Sequence, residues 1–258
     1  MLEGMLPVAA NTFRETIRNK ILYAILAFAL FVIGMTNFLA NLSFGDLARI
    51  IIDLGLSSIH IFGVVMAIFI GITLVSQEID RKTVYIILSK PVPRWEFVVG
   101  KALGLCATLG LITLFMTIVL FIVHAGYRYG GSMEPGIFVA ATGIYMELVL
   151  LTCLASLFST FTTPVLSAIF TLSMFLIGHI TRDLLFFGAQ SGSRAVAVMG
   201  KTVYFLLPNL ELFNFKNNVV YGQARSVSLL LAPAGYMVCY CAAVLSLACF
   251  LFSRKDFK

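Results

Sequence analysis

Charge is what this sequence has least of. Only 12% of its 258 residues are Asp, Glu, Lys or Arg, while 60% are hydrophobic and the mean hydropathy is +1.00. Ordinary soluble domains carry roughly 25% charged residues. A soluble domain of this size could not cover itself with so little polar surface. Disorder is excluded by the same shortage, because disordered chains are polar and charged. Alternating ten-residue apolar segments are missing too, which argues against a membrane β-barrel. A phosphate loop of the form G-x-x-x-x-G-K-[ST] is absent. Gly100-Lys101 lacks both the earlier glycine and the following Ser or Thr, so nucleotide binding by that motif is excluded. H-E-x-x-H and G-x-S-x-G do not occur either, which removes the familiar metalloprotease and serine-hydrolase signatures. The five cysteines (Cys106, Cys153, Cys239, Cys241, Cys249) all fall inside apolar runs. They read as small buried hydrophobes rather than a disulfide or metal framework.

What is present is a series of long apolar runs, at about 21–40, 55–76, 102–123, 137–158, 164–183 and 229–252. Each approaches the roughly 20 residues that cross about 30 Å of hydrocarbon. The reading is an all-α integral membrane protein with six transmembrane helices, forming a single transmembrane domain over 1–258. Residues 6–20 are too charged to span. Val8, Thr12, Phe13 and Ile17 approximate one helical face and Arg14, Glu15 and Arg18 another, which predicts an N-terminal interfacial helix. The first run is too long for a signal h-region and should stay as an anchor.

The scarce basic residues give orientation. Eleven of them (Arg14, Arg18, Lys20; Arg81, Lys82, Lys90, Arg94, Lys101; Arg254, Lys255, Lys258) flank one side, against Arg49 and Arg128 in the short loops opposite. Both termini should therefore be cytoplasmic in the cytoplasmic (inner) membrane. The net charge of +6 reads as attraction to anionic lipid and not to nucleic acid. Between spans five and six, Lys201, Pro208 and Glu211 interrupt a fairly apolar stretch. The 184–228 segment is expected to form external re-entrant or surface helices.

Residues 77–101, QEIDRKTVYIILSKPVPRWEFVVGK, hold the densest run of charge. An amphipathic helix candidate runs from about Glu78 to Leu88, Pro91 and Pro93 force an extended break, and a second helical start near Trp95 enters the third span. A surface helix joined rigidly to two spans can transmit force from a cytoplasmic partner; the bland alternative is a solvated loop with interfacial anchors. Inside the spans, Glu147 lies near the middle of the fourth run. A central acidic group costs about 2.5–3.5 kcal/mol to insert, so it should face protein or water. It reads either as a substrate or gating contact or as a structural partner of a neighbouring hydroxyl or arginine. His60, His124 and His179 approach the outer face and read as separate interfacial histidines, since a metal site would need three helices to converge. Arg182 and Asp183 end the fifth run as an interfacial or gate pair. Gly63, Ala67 and Gly71 form a small-xxx-small stripe suited to close helix packing within the protomer.

The 77–101 stretch resembles the cytoplasmic loop of type 2 ABC exporter permeases. That family has an acidic residue, a threonine, a Leu-Ser-x-Pro turn, an arginine and a Gly-Lys entering the next helix. The matching residues are Glu78, Thr83, Leu88, Ser89, Pro91, Arg94, Gly100 and Lys101, with Lys82 standing where the family often has glycine. Thr12-Phe13-Arg14-Glu15 with Arg18 and Lys20 is similar to the family's interfacial helix. Leu207-Pro208-Asn209 followed by Leu212-Phe213 resembles its external segment after the fifth span. The nearest likeness is to the subgroup labelled for multicopper-enzyme maturation.

The resemblance implies a permease subunit of an ATP-driven exporter that binds no cofactor itself. ATP and Mg would sit on a separate ATP-binding cassette ATPase. Glu78, Asp80, Arg81, Thr83, Leu88, Pro91 and Arg94 would couple to that ATPase. Glu147, Arg182, Asp183, Pro208 and Asn209 are candidate translocation or gate residues. The other implied partners are a second permease copy, as a homodimer, membrane lipid and a periplasmic protein. Two rival readings are a membrane-embedded enzyme using Glu147 and the outer-side histidines, and a membrane anchor without transport.

Overall fold

Asn19 marks the first change of direction in the chain. Helix α1 (Met5–Ile17) ends there, and the Asn19 side-chain oxygen accepts the Ile21 N–H at 3.0 Å, capping α2 (Lys20–Asn41). The two limbs meet at 61°. A computed structural model of the chain describes residues 4–41, 47–80, 93–127, 136–190, 194–216, 219 and 227–254. The remaining helices are α3 (Leu47–Asp80), α4 (Arg94–Tyr127), α5 (Gly136–Phe161), α6 (Pro164–Gln190), α7 (Arg194–Leu206) and α8 (Leu231–Ser253). Short 3-10 turns occupy Leu210–Phe213 and Val227–Leu230. Five helices are long and apolar enough to cross a bilayer, and the bent α1–α2 pair makes a sixth candidate.

The all-α membrane architecture expected from the apolar runs is the one observed, with no strand among the described residues. The helices overrun the runs. With 34 residues each, α3 and α4 are about 50 Å long, well beyond the ~30 Å hydrocarbon thickness. Helix α4 begins one residue after Pro93, whose carbonyl accepts the Glu96 and Phe97 N–H groups at 3.0 and 3.4 Å. Helix α6 continues seven residues past 183, so Arg182 and Asp183 lie inside a helix instead of ending one.

Helices α3 and α5 form the centre. Their spanning windows are 72% buried, against 39% for α4 and 22% for α6 and α8. The stripe on α3 explains the closeness. A Cβ on Gly71 would stand 2.5 Å from the Ala155 Cβ, and Ala67 is fully buried, so the two backbones approach within the protomer. Helix α1 is held by the same device. Cβ atoms on Gly100 and Gly104 of α4 would meet the Met5 and Ala9 carbonyl oxygens at 2.8 and 2.5 Å. The glycine of the Gly100-Lys101 pair is thus part of the notch that receives α1. Hydroxyls within the buried helices are satisfied locally, as Thr152 to Leu148 and Ser156 to Thr152 on α5. The exposed apolar surface of α6 and α8, including Val165, Leu176, Phe187 and Leu231, has the character of a lipid- or protein-facing flank.

Candidate functional site

Three ionisable side chains reach one level of the bundle from three helices. His60 stands thirteen positions after Leu47, Glu147 eleven after Gly136, and His179 eleven before Gln190. At 1.5 Å per residue they are about 16–20 Å from their helix ends. The chain alternates direction through α3, α4, α5 and α6, so the starts of α3 and α5 and the end of α6 lie on one side. Glu147 is 1% exposed, and its Oε1 lies 2.9 Å from His60 Nε2 and 3.6 Å from His179 Nε2. The partners of Glu147 are therefore histidines, in place of the hydroxyl or arginine expected. The expectation of three separate histidines fails for two of them: the His60 and His179 rings sit 5.6 Å apart, because Phe175, 4.8 Å from His179 and 5.6 Å from His60, props both. His124, buried near the end of α4, is not in this group.

Hydrogen-bond chemistry assigns the protons. Lys216 Nζ lies 2.7 Å from His60 Nδ1. An ammonium only donates, so Nδ1 accepts and Nε2 carries the hydrogen that Glu147 accepts. His179 Nδ1 lies 3.1 Å from the Phe175 carbonyl oxygen, which only accepts, so Nδ1 carries a hydrogen and Nε2 is the nitrogen that faces Glu147. Lys216 follows the 3-10 turn and lies outside the spanning helices. Burial pushes its ammonium below the ordinary lysine range, while the charges of Glu147, Asp53 and Glu211 pull it back up. The result is a relay from Lys216 through His60 to Glu147, with His179 closing the far side.

The segment after α7 delivers that lysine. Pro208 and Asn209 are both buried. A Cβ on Gly178 of α6 would touch Leu210 at 2.7 Å and the Pro208 carbonyl at 3.0 Å, so the absent side chain is the seat of the turn. The Asn209 N–H donates to the Tyr236 hydroxyl of α8 at 3.0 Å. Leu210 and Phe213 are fully buried, and Phe215 and the Phe213 carbonyl fill the space beside Gly143, one turn before Glu147. Burial of these apolar side chains draws residues 207–216 down among α5, α6 and α8, and Lys216 arrives at His60 as a consequence.

The other expected residues are spread elsewhere. Arg182 and Asp183 are exposed on α6 and are not brought to the centre. Glu78 and Asp80 fall in the last turn of α3 and Arg94 opens α4. Arg81, Thr83, Leu88 and Pro91, with most of the proposed Glu78–Leu88 helix, lie outside the described residues. Lys216 was missed in sequence, although a lone lysine between Phe215 and two asparagines is a weak signal of a specific partner. A groove of about 290 Å³ lies between α4 and α5. It is walled by Leu114, Phe138 and Tyr145, and its Thr117 hydroxyl is already bonded to the Thr113 carbonyl.

Chemically, the centre can hold a proton or a cation between two imidazoles and a carboxylate, and it can tie an irregular segment to the bundle. No curated protein matches the chain. The family model described as ABC-2 family transporter protein matches residues 6–257, nearly the whole length. Nearly all of α1, the long apolar helices and the segment 207–216 lie within that match, and the chain belongs to the ABC-2 transporter family.

Proposed function

We propose that this ABC-2 permease works as one membrane domain over 1–258 in an exporter of the cytoplasmic membrane, pairing with a second copy of itself and with a separate ATPase that carries ATP and Mg. The likeness to the multicopper-maturation subgroup belongs to the same proposal. The observation that carries the reading is the family match over residues 6–257 together with the two 34-residue helices that the 81–93 segment joins. Stiff helices about 50 Å long overrun the bilayer, and a push on the segment between them acts on both. Through α3 it reaches His60, and through the α3–α5 packing it reaches Glu147. Glu78, Asp80, Arg81, Thr83, Leu88, Pro91 and Arg94 form the handle for the ATPase. Residues 207–216 form the outer gate, seated by Pro208 and Asn209 and held by Lys216; Arg182 and Asp183 flank it on α6. A periplasmic partner would meet the same side.

The experiment is purification of the tagged permease with its ATPase from native membranes. Wild-type protein should carry vanadate-sensitive ATP hydrolysis. Combined reversal, Glu78→Lys with Arg81→Glu, should release the ATPase while the permease keeps its thermal stability. Retention of full ATPase activity by the reversed permease would end the coupling role of this loop.

A further inference from the structure

We propose that His60, His179 and Glu147 bind one divalent transition-metal ion of the zinc class between α3, α5 and α6. Two imidazoles and one carboxylate form a nitrogen–oxygen donor set that suits Zn2+, Co2+, Ni2+ or Cu2+, and not Mg2+ or Ca2+, which take oxygen ligands. One ligand atom from each residue lies within 4.8 Å of the others. The two Nε2 atoms stand 2.9 and 3.6 Å from the same Oε1. Two ligand atoms each about 2.05 Å from a tetrahedral metal are about 3.3 Å apart, so these two separations bracket the geometry required, and the histidine pair, within 4.8 Å, needs at most a small side-chain shift to close on the ion.

The orientation of His179 is the sharper argument. Its Nδ1–H is used on the Phe175 carbonyl at 3.1 Å, the outer hydrogen bond that metal-bound histidines make. Its Nε2 is therefore the nitrogen left to face the carboxylate oxygen, 3.6 Å away and too far for a hydrogen bond. A positive charge between the two atoms, a proton on Nε2 or a metal ion in its place, satisfies both. Lys216 meets His60 at the opposite ring nitrogen and fixes that ring without entering the space. On binding, the ion takes the place of the hydrogen on His60 Nε2, and Lys216 passes a proton from Nζ to Nδ1, so the ring stays a neutral imidazole, the lysine becomes an amine and one proton leaves overall. Side-chain exposure rises from 2% at Glu147 through 10% at His60 to 24% at His179, so His179 is the most accessible of the three ligands. Three protein ligands leave a fourth position open, as in exchangeable rather than structural sites. The site needs no ATPase and stands whether or not the coupling proposal holds.

The test uses the full-length chain alone in lipid nanodiscs, titrated with Co2+ and then with Zn2+. Wild type should bind one Co2+ per chain with the visible absorption of a four-coordinate ion, and Zn2+ should displace it. Glu147→Gln and His179→Gln should each weaken binding at least tenfold, whereas His124→Gln should leave it unchanged. His179→Gln changes the most exposed ligand, so it carries the test if Glu147→Gln does not fold. Equal binding in wild type and His179→Gln, or a spectrum of free aqueous Co2+ only, would overturn the proposal.

Discussion

Glu147→Gln isolates what the buried charge contributes. Glutamine keeps the shape and an oxygen that can accept the His60 Nε2–H at 2.9 Å, so the hydrogen bond survives and the charge does not. A hydrogen bond to a charged group is worth about 1.5–3 kcal/mol and a neutral one about 0.5–1.5, which puts the loss near 1–1.5 kcal/mol. Lys216 also loses an attracting charge, but it is only half-buried, and solvent screening keeps that addition below about 0.5 kcal/mol. The expected total is about 1–2 kcal/mol. At roughly 2–4 °C per kcal/mol for a chain of this size, Tm should fall by about 2–8 °C. Glu147→Leu removes the acceptor as well and leaves a buried ring N–H without its partner, adding about 1–3 kcal/mol. Buried Cys153 and Cys241 allow the assay, because a thiol-reactive dye reports unfolding as they become accessible. Lys216→Met should couple to Glu147→Gln, the double variant losing about 0.3–0.5 kcal/mol less than the sum of the two, as residues in one network do. A Glu147→Gln protein as stable as wild type, with strictly additive losses, would refute the relay.

Two further predictions concern packing. Gly104→Val places a Cβ 2.5 Å from the Ala9 carbonyl, a backbone atom that cannot yield without moving α1. Helix α1 should lift from α4, seen as faster tryptic cleavage after Arg14 and Arg18. Tyr236→Phe removes the oxygen that accepts the buried Asn209 N–H at 3.0 Å. An unsatisfied buried donor costs about 1–3 kcal/mol, so Tm should drop by roughly 2–12 °C, with cleavage rising first within residues 207–216.

The spans were legible because hydrocarbon demands continuous apolar runs, and the elbow because Arg14, Glu15 and Arg18 cannot cross a bilayer. The α3 stripe was legible for a related reason: Gly63, Ala67 and Gly71 repeat every four residues on one helical face. The convergence of His60, Glu147 and His179 was not. Helices buried on most sides are apolar all round, so the sequence carries little rotational phase for α3 or α5 and does not say which polar group faces which. His60 and Glu147 are 87 residues apart, and Lys216 lies 156 residues from His60. Only packing at Gly71, Gly143 and Gly178 sets those distances. Helix ends were misplaced for a simpler reason. Arg182, Asp183, Glu78 and Asp80 are polar yet compatible with helix, so hydropathy stops before the backbone does.

The central claim is that this ABC-2 chain is driven by an ATPase docked on the loop between α3 and α4. The most direct measurement is vanadate-sensitive ATP hydrolysis co-purifying with the tagged permease, compared between wild type and the Glu78→Lys, Arg81→Glu variant at equal permease yield and Tm. Loss of most of the hydrolysis in the variant is the predicted result. Undiminished hydrolysis, bound as tightly as in wild type, would contradict it.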